Sequence, residues 1–489
     1  MKSIITYTLL LLGALSTATA QSSRTKTHAS SKWSFITMKG GHLYDNGKKF
    51  RFNSVNIPNL IMLQDRPGTG GAWVPPDPRE QDDALTTVAL MGGNAARSYT
   101  LAAGDGRHMK GANEFDEKAF VAMDYAIAIA RKRGVRLIIP FINNHNGGDG
   151  AGVDGYGDYG GFAKLVGKPP SQFFTDGECI KVMENLITHT LNRKNTVNGV
   201  RYGDDPTILG WELGNELGGW DNEPPPAEWT VRMSQLIRKN SRSLVVDGTL
   251  IGGKTDRWYA IDREGGPDIY TDHLYGMGGK PDEQLLVDLA NFCVGKGKAF
   301  FVGEFGLKNP ESYDAIYKAT ADNENVAGAL IWSLRFHSYE GGWYHHSEDG
   351  GYWAYHAPGF DESHGFSKEE RNTIEAMRKG AARINGVNDN GHPTPSRPYL
   401  RPDIKHDYIR FVGAAWGQKY SLWRAEGGDS SLNWGSAPVK SDIWDNVESG
   451  QFSLKDDGAE GGKTYYYCVQ AHNKDGKKGP FSNIVKVRT

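Results

Sequence analysis

Short apolar runs alternate with longer amphipathic stretches between about residue 50 and residue 385. A short continuous apolar run is typical of a strand that is covered on both faces, as in a parallel sheet. The intervening stretches repeat apolar residues at helical spacing, for example at 117–134, 180–195 and 367–385. The pattern predicts eight strands, at 51–57, 94–99, 135–143, 207–213, 243–248, 268–275, 299–305 and 328–334.

Eight apolar strands separated by helices predict a (β/α)8 barrel over residues 33–386. An open doubly wound sheet is the competing layout, but no glycine-rich phosphate motif follows the first strand. In a barrel, the polar residues at the strand ends all face one mouth. The residues expected there are Arg97, Asn143, Asn144, Asn215, Glu216, His273, Tyr275, Glu304 and Trp332.

The pattern changes after the barrel region. Residues 387–403 are rich in proline and predict a linker. Beyond it, short alternating strands with turn residues between them predict a small all-β sandwich over 404–489. A spacer or stabilising module is favoured, and a carbohydrate-binding module is the alternative.

Residues 1–20 predict a cleavable signal peptide, with Lys2, a short apolar core and the small residues Ala18-Thr19-Ala20. The apolar core is too short to span a bilayer. No cysteine follows the cleavage site, so a lipid anchor is not expected. The segment predicts a secreted or periplasmic protein, with a polar leader over 21–32.

Composition narrows the function classes. The 489 residues carry a formal net charge of -2, which indicates neither nucleic acid nor a membrane surface as a partner. Cys179, Cys293 and Cys468 are too few and too scattered for a disulfide framework or a thiolate zinc site. We expect a monomer that needs no cofactor and no metal.

Two apolar runs end in a carboxylate. "TILGWELGNELGGW" (207–220) contains Glu216, and "AFFVGEFGLKN" (299–309) contains Glu304. Because burying an unpaired charge is costly, a carboxylate in this position indicates an acid with a task. Two carboxylates across a cleft are the apparatus of glycoside hydrolysis. A serine triad is disfavoured, because no G-x-S-x-G motif occurs.

The neighbours of the two glutamates suggest how their roles divide. Hydrogen bonds from Tyr275 and Arg97 are expected to keep Glu304 ionised. An apolar setting beside Trp211 is expected to keep Glu216 protonated near neutral pH. Asn215 carries an amide that suits a substrate hydroxyl.

From about residue 33 to 385, the chain resembles clan A glycoside hydrolases of family 5, and among them the endo-β-1,4-mannanases. The resemblance rests on "FINN", "YGDYGGF", "FFTD", "LNRKNTVNGVRYGDDPTILGWELGNE", "DHLYG", "GEFG" and "GALIWSL". It implies that Glu216 is the acid/base, that Glu304 is the nucleophile and that Trp332 lies under the sugar at the cleavage point. The residues expected to support them or to bind substrate are Arg97, Asn144, Asn215, His273 and Tyr275. The implied substrate is a β-mannan or a mannooligosaccharide.

Two positions depart from the mannanase pattern. Leu217-Gly218 follows Glu216 where mannanases usually have Pro-Arg, and His145 stands where the family tends to have Trp. Endo action is favoured. The alternatives are an exo-acting β-mannosidase or mannobiohydrolase, a β-1,4-glucan hydrolase of the same clan, and an inactive sugar-binding protein.

Three further features have competing interpretations. The segment 335–366 is crowded with histidines and aromatics, and a loop over the barrel mouth is favoured over simple packing or a metal site. Adjacent side chains such as His345 and His346 seldom reach one ion together. Residues 149–158 predict a glycine-rich surface loop rather than a calcium loop. Through "KYSLWRAEGG", "GKTYYYCVQAHN" and "PFSNIVKV", the region 404–489 resembles fibronectin type III modules.

Overall fold

The computed structural model describes residues 33–489 except for 64–65, 67–73, 145–157, 220–221, 349–350, 352, 388–390 and 429–430. The predicted signal peptide and leader lie outside the described residues, as do His145 and most of the loop at 149–158. Ser34–Thr489 forms one compact unit. Within the part of the chain that is described, no helix combines the length and apolarity needed to cross a bilayer.

The predicted barrel is confirmed. Eight parallel strands close on themselves, each paired with the next and the last paired with the first. They are β1 Phe52–Ile57, β2 Ala95–Ser98, β3 Arg136–Asn143, β4 Ile208–Asn215, β5 Leu244–Asp247, β6 Ile269–Leu274, β7 Ala299–Phe305 and β8 Val326–Ile331. Glu216 and Glu304 therefore belong to the ends of the fourth and seventh strands.

Helices connect most of these strands on the outside of the barrel. They are α1 Pro78–Met91, α2 Glu117–Arg133, α3 Tyr159–Lys164, α4 Gly177–Asn192, α5 Ala227–Asn240, α6 Asp282–Gly295, α7 Pro310–Asp322 and α8 Glu370–Asn385. Local sequence sets several helix starts: Asp77 and Glu80 form a capping box at α1, and Asp176 caps α4. Between β5 and β6 the chain makes a 3-10 turn at Thr255–Arg257 in place of an α-helix.

The barrel interior is apolar at one end and polar at the other. Phe52, Leu209 and Phe301 fill it near the strand starts, where Ile36 and Leu43 of the N-terminal segment pack against them. That segment carries short strands at Thr37–Lys39, His42–Asp45 and Lys48–Lys49, and a further hairpin pairs Met109–Gly111 with Glu114–Phe115. Since the apolar residues close the lower end, the polar strand-end residues are left to the opposite mouth.

The C-terminal region consists of antiparallel strands, as predicted. They are β9 Tyr399–Leu400, β10 Phe411–Val412, β11 Lys419–Gly428, β12 Ser431–Asn433, β13 Lys440–Ile443, β14 Thr464–His472, β15 Lys478–Phe481 and β16 Val485–Arg488. The main sheet has the order β12-β11-β14-β15, with β13 on β11 and β16 on β14. The finer assignment to a fibronectin type III sandwich stays a prediction. Each cysteine is buried and carries a free thiol.

The C-terminal region packs directly on the barrel region. The Trp416 indole Nε1–H donates to the backbone oxygen of Thr87 in α1 at 3.1 Å. Trp343, in the segment 335–366 after β8, exchanges backbone hydrogen bonds with Val447 (2.9 Å) and Ser449 (2.8 Å). Trp343 and Trp416 are both buried. The contact favours a stabilising module over a mere spacer.

Candidate active site

The structure brings the two strand-end glutamates together with His273 from β6. One oxygen of Glu216, one oxygen of Glu304 and one ring nitrogen of His273 lie within 4.8 Å of one another. Glu216 is 7% exposed and Glu304 is 4% exposed. Two carboxyl groups this close, and this far from bulk water, are the main chemical feature of the barrel mouth.

His273 is in contact with both carboxylates through the same nitrogen. Its Nδ1 lies 2.7 Å from Oε1 of Glu216 and 3.3 Å from Oε2 of Glu304. Burial lowers the pKa of His273 to about 4; Glu304 opposes this effect and the Arg97 charge adds to it. The imidazole is therefore neutral near pH 7. Gly303 leaves room for the ring, because a Cβ there would lie 2.7 Å from Nε2.

Arg97, on β2, organises the acidic groups from below. Its guanidinium donates twice to Glu212 at 2.7 Å, once to Glu304 Oε1 at 2.8 Å and once to Asn215 Oδ1 at 2.7 Å. Burial lowers the pKa of Arg97, but the carboxylates of Glu212 and Glu304 outweigh it and raise the pKa above the usual range. A fully buried cation with these partners fixes the position of Glu304.

Glu304 accepts one hydrogen bond on each oxygen, from Arg97 and from the Tyr275 hydroxyl, which is 2.8 Å from Oε2. These are the expected contacts, but they do not lower the pKa as expected. Burial raises the pKa of Glu304, and Glu216 adds to the rise, against His273, Arg97 and Tyr275. The loss of hydration outweighs the donors because the carboxylate is almost wholly removed from water.

Glu216 stands at a strained point of the backbone. Its φ is 54°, in the left-handed region that residues other than glycine rarely adopt. Such outliers persist where the surrounding structure over-determines them, and they cluster at functional sites. Trp211 does not provide the apolar setting predicted for Glu216. It stacks on Phe141 and Tyr202 in the layer between strands and helices, since neighbouring strand residues face opposite sides.

The departure from Pro-Arg after Glu216 has a structural reason. The Leu217 N–H donates to the Gly248 oxygen at 3.0 Å, and a proline at this position would lose that bond. Gly218 has a φ of 77°, and a Cβ there would lie 2.8 Å from the Cα of Pro224. Both residues are therefore fitted to the course of this loop.

A chain of polar contacts links the remaining predicted residues. The Asn215 amide donates to Asn143 Oδ1 at 2.9 Å, and the Asn143 amide donates to the Tyr99 hydroxyl at 3.0 Å. The Tyr99 ring lies 5.6 Å from the ring of Trp332, between centroids. Asn144 turns to the next loop, where its amide donates to the Gly219 oxygen at 3.1 Å. All nine residues expected at the mouth thus lie in the last two positions of a barrel strand or directly after it.

Sequence reasoning missed four contributors: Glu212, Asn56, Tyr99 and Glu348. Glu212 carried a usable signal, because a carboxylate inside a buried strand requires a buried cation. Asn56 accepts from Arg97 at 3.2 Å and ends β1, where a polar residue at the barrel mouth was already the expected pattern. Glu348 accepts a hydrogen bond from the Trp332 indole at 2.9 Å, and nothing in the local pattern marked it.

The segment 335–366 is held by buried carboxylates on α1 and at the start of α8. Glu80 accepts from the Tyr339 N–H at 2.6 Å and from the Tyr344 hydroxyl at 2.7 Å. Glu370 accepts from the N–H groups of His356 (3.0 Å) and Phe360 (2.6 Å). Within its described residues the segment is a packed element.

The adjacent histidines His345 and His346 have different surroundings. The His345 ring packs on those of His356 and Phe366. His346 Nε2 lies 2.9 Å from Glu348 Oε1. Among the residues that the structure describes, the donor set that suits a divalent cation lies at Glu216, His273 and Glu304. The expectation that no metal is needed stays a prediction.

Known proteins are similar to this chain in sequence and in fold. Residues 33–263 match the family described as "GH family 5 beta-mannosidase-like". Mannan endo-1,4-beta-mannosidase 1 of Solanum lycopersicum is 24% identical over 353 residues, which cover 63% of this chain and 85% of that protein.

Among solved structures, a family 5 mannosidase of Rhizomucor miehei is 17% identical, with a TM-score of 0.56 over 72% of this chain and 97% of that one. The endo-beta-1,4-mannanase of Thermotoga petrophila is 19% identical, with a TM-score of 0.54 over 91% of this chain and 98% of that one. At these identities, the structural likeness is evidence for the fold.

Proposed function

We propose that this glycoside hydrolase cleaves β-1,4-mannosidic linkages in mannan-type polysaccharides and retains the configuration of the anomeric carbon. One observation carries the proposal: oxygens of Glu216 and Glu304 lie within 4.8 Å of each other across the barrel mouth. Retaining glycosidases hold their carboxyl groups about 5–5.5 Å apart, whereas inverting enzymes need about 6.5–9.5 Å to admit a water molecule. The short separation supports direct attack by one carboxylate.

Glu304 is the proposed nucleophile. Arg97 and Tyr275 fix one oxygen each, so the carboxylate faces the anomeric carbon in a single orientation. An oxygen of Glu304 forms a bond to that carbon while the glycosidic C–O bond breaks. Because burial raises its pKa, we expect the ionised fraction, and with it the rate, to fall at acidic pH.

Glu216 is the proposed acid and base. In the first step its proton passes to the leaving glycosidic oxygen. In the second step Glu216 takes a proton from water, and the resulting hydroxide cleaves the ester between the sugar and Glu304. The neutral imidazole of His273, 2.7 Å away, orients this carboxyl group without placing a cation beside it.

The substrate class is supported by the relatives and by the mouth. The matching family is described as β-mannosidase-like, and the tomato relative is a mannan endo-mannosidase. Trp332 follows β8 at the mouth beside Tyr99, which suits a platform under a sugar ring. The predicted signal peptide at 1–20 supports export of the protein, as the hydrolysis of an extracellular polysaccharide requires.

The test compares polysaccharides and follows stereochemistry. We expect reducing sugar from linear mannan, less from glucomannan and little from carboxymethyl cellulose. NMR of the first product should show the β-anomer, and activity should persist after dialysis against EDTA. Faster cleavage of carboxymethyl cellulose would reassign the substrate, an initial α-anomer would indicate inversion, and loss of activity in EDTA would place a metal at the three-residue site.

Endo action is favoured, because the curated relatives are named as endo-acting. Exo release of a short product is the second candidate. The observation behind it is the packed segment 335–366, which brings Glu348 to the Trp332 indole. Such an element beside the cleavage point is able to close one end of the cleft. Viscosity of a galactomannan solution distinguishes the two: endo action gives a steep fall with little reducing sugar, and exo action gives a slow fall with steady release of one product.

A further inference from the structure

Glu348 is a third carboxylate at the barrel mouth, and it comes from the segment after β8. Its Oε2 accepts a hydrogen bond from the Trp332 Nε1–H at 2.9 Å, and its Oε1 lies 2.9 Å from His346 Nε2. Its charge adds to the rise in the pKa of Tyr275, the residue that donates to Glu304. About 30% of the Glu348 side chain is exposed. The carboxylate is therefore close enough to Tyr275 to influence it and is partly open to solvent.

The protein holds Glu348 in place from several sides. Its backbone exchanges hydrogen bonds with Gly351, at 2.9 and 2.8 Å. Upstream, Glu80 binds Tyr339 and Tyr344, which fixes the segment to α1. A side chain with supported neighbours and two hydrogen-bonding partners of its own has a defined position, as a specificity group requires.

Glu348 has capacity left for a ligand. Burial raises the pKa of its carboxyl, but the opposing effects of His346, Arg335 and Trp332 are larger together. The net pKa is below the usual value, so the group is ionised near neutral pH. An ionised carboxylate has about four lone-pair sites and accepts only. Trp332 and His346 take one on each oxygen, which leaves acceptor sites on the exposed side.

We propose that Glu348 is a specificity-determining residue that orients the Trp332 indole and accepts hydroxyl hydrogen bonds from the sugar that lies on it. The proposal deepens the proposed function and rests on it. Because a carboxylate only accepts, the sugar must keep a free hydroxyl at that edge. A hydroxyl replaced by a galactosyl or acetyl substituent has no proton to donate, so unsubstituted stretches of mannan are the preferred substrate.

The experiment compares Glu348→Ala and Glu348→Gln in the full chain with Glu362→Gln as a matched control. Glu362 is an exposed carboxylate in the same segment. Kinetics are measured on mannohexaose and on a galactose-substituted mannooligosaccharide of the same backbone length. We expect Glu348→Ala to lower kcat/KM on mannohexaose about ten- to hundredfold, with a smaller fall on the substituted substrate. Glu348→Gln should restore part of the loss, and Glu362→Gln should change neither value.

If Glu348 had only a structural role, Glu348→Ala would lower kcat/KM equally on both substrates, and that outcome would overturn the proposal. An unchanged kcat/KM in Glu348→Ala would overturn it as well. Trp332→Phe removes the indole N–H and provides a second measurement. If Glu348 acts partly through Trp332, the double variant should lose less than the product of the two single losses; strictly multiplicative losses would contradict that coupling. If the wild-type enzyme prefers a glucan, the proposed function fails, and the same variants are then judged on substituted and unsubstituted forms of that glucan.

Discussion

Two buried histidines in this protein each lie between two carboxylates, yet near pH 7 one is neutral and the other is charged. His273, in the barrel mouth, contacts Glu216 and Glu304, and its pKa is lowered to about 4. His337, where the segment after β8 meets the C-terminal region, contacts Asp83 and Asp445. Burial lowers the pKa of His337, but the two aspartates outweigh burial and raise it to about 9.

Geometry and a neighbouring cation explain the difference. His337 uses both nitrogens, with Nδ1 2.9 Å from Asp83 and Nε2 3.2 Å from Asp445, so each aspartate stabilises the charged ring separately. His273 presents a single nitrogen to both glutamates, and Arg97 already neutralises Glu304. An imidazole between two carboxylates thus gives a neutral group where protons are transferred and a charged link where two regions are joined.

The largest expected effect concerns the barrel mouth, where the two glutamates have different roles. Glu304→Gln should abolish turnover of every substrate, by about 10⁴-fold or more, because no glycosyl-enzyme ester can form. Glu216→Gln should still permit the first step with an activated aryl mannoside, whose leaving group needs no proton. Stopped-flow release of the aryl group should show a burst in Glu216→Gln alone. Equal and complete loss in both variants would contradict these roles.

Removal of residues 399–489 tests the joined region as a whole. The truncation exposes Trp343 and removes Asp445, the Trp416–Thr87 bond and the backbone bonds to 447–449. We therefore expect poor solubility or a melting temperature at least about 10 °C lower, since several contacts are lost together. A truncated chain with wild-type melting temperature and wild-type activity on soluble mannooligosaccharides would show that the module is a spacer.

Asp445→Asn removes one partner of His337 and leaves the fold otherwise intact. Breaking a buried ion pair from one side costs about 3–5 kcal/mol, so the free energy of unfolding should fall by roughly that amount. Asp442→Asn is the matched control, because Asp442 pairs with Lys419 at the surface of the same region and its side chain is 75% exposed. An exposed pair contributes about 1 kcal/mol at most. Denaturant titration that gave similar losses in both variants would contradict the buried link.

The sequence predicted the residues of the barrel mouth well, but it did not predict the contact of His337 with Asp83 and Asp445. Strand periodicity located Glu216 and Glu304, because burial on both faces makes a strand-end carboxylate conspicuous. His337, Asp83 and Asp445 come from a loop, a helix and another loop, and no local period relates them. Glu348 escaped prediction for the same reason. Contacts of this kind depend on how distant segments pack, and only the folded chain displays them.

The pH dependence of stability gives the smallest expected effect, and it tests both histidines at once. His337 has a folded pKa of about 9, above the unfolded value of about 6.5, so the folded state binds the extra proton between these values. Its contribution, about 3 kcal/mol, is fully present below about pH 6.5 and is lost as pH rises through about 9. His273 has a folded pKa of about 4. The unfolded state binds the extra proton there, so stability is lost as pH falls from about 6.5 through about 4.

The two histidines therefore limit stability on opposite sides of about pH 6.5, and single variants should separate the limits. Denaturant titrations of the wild type, His337→Gln and His273→Gln across the pH range provide the measurement. The wild type should be more stable than His337→Gln at neutral pH, and the difference should shrink as pH rises through about 9. His273→Gln should gain on the wild type as pH falls below about 6.5, because the variant has no imidazole to charge. If both differences stayed constant with pH, the contrast between a neutral and a charged histidine would be wrong.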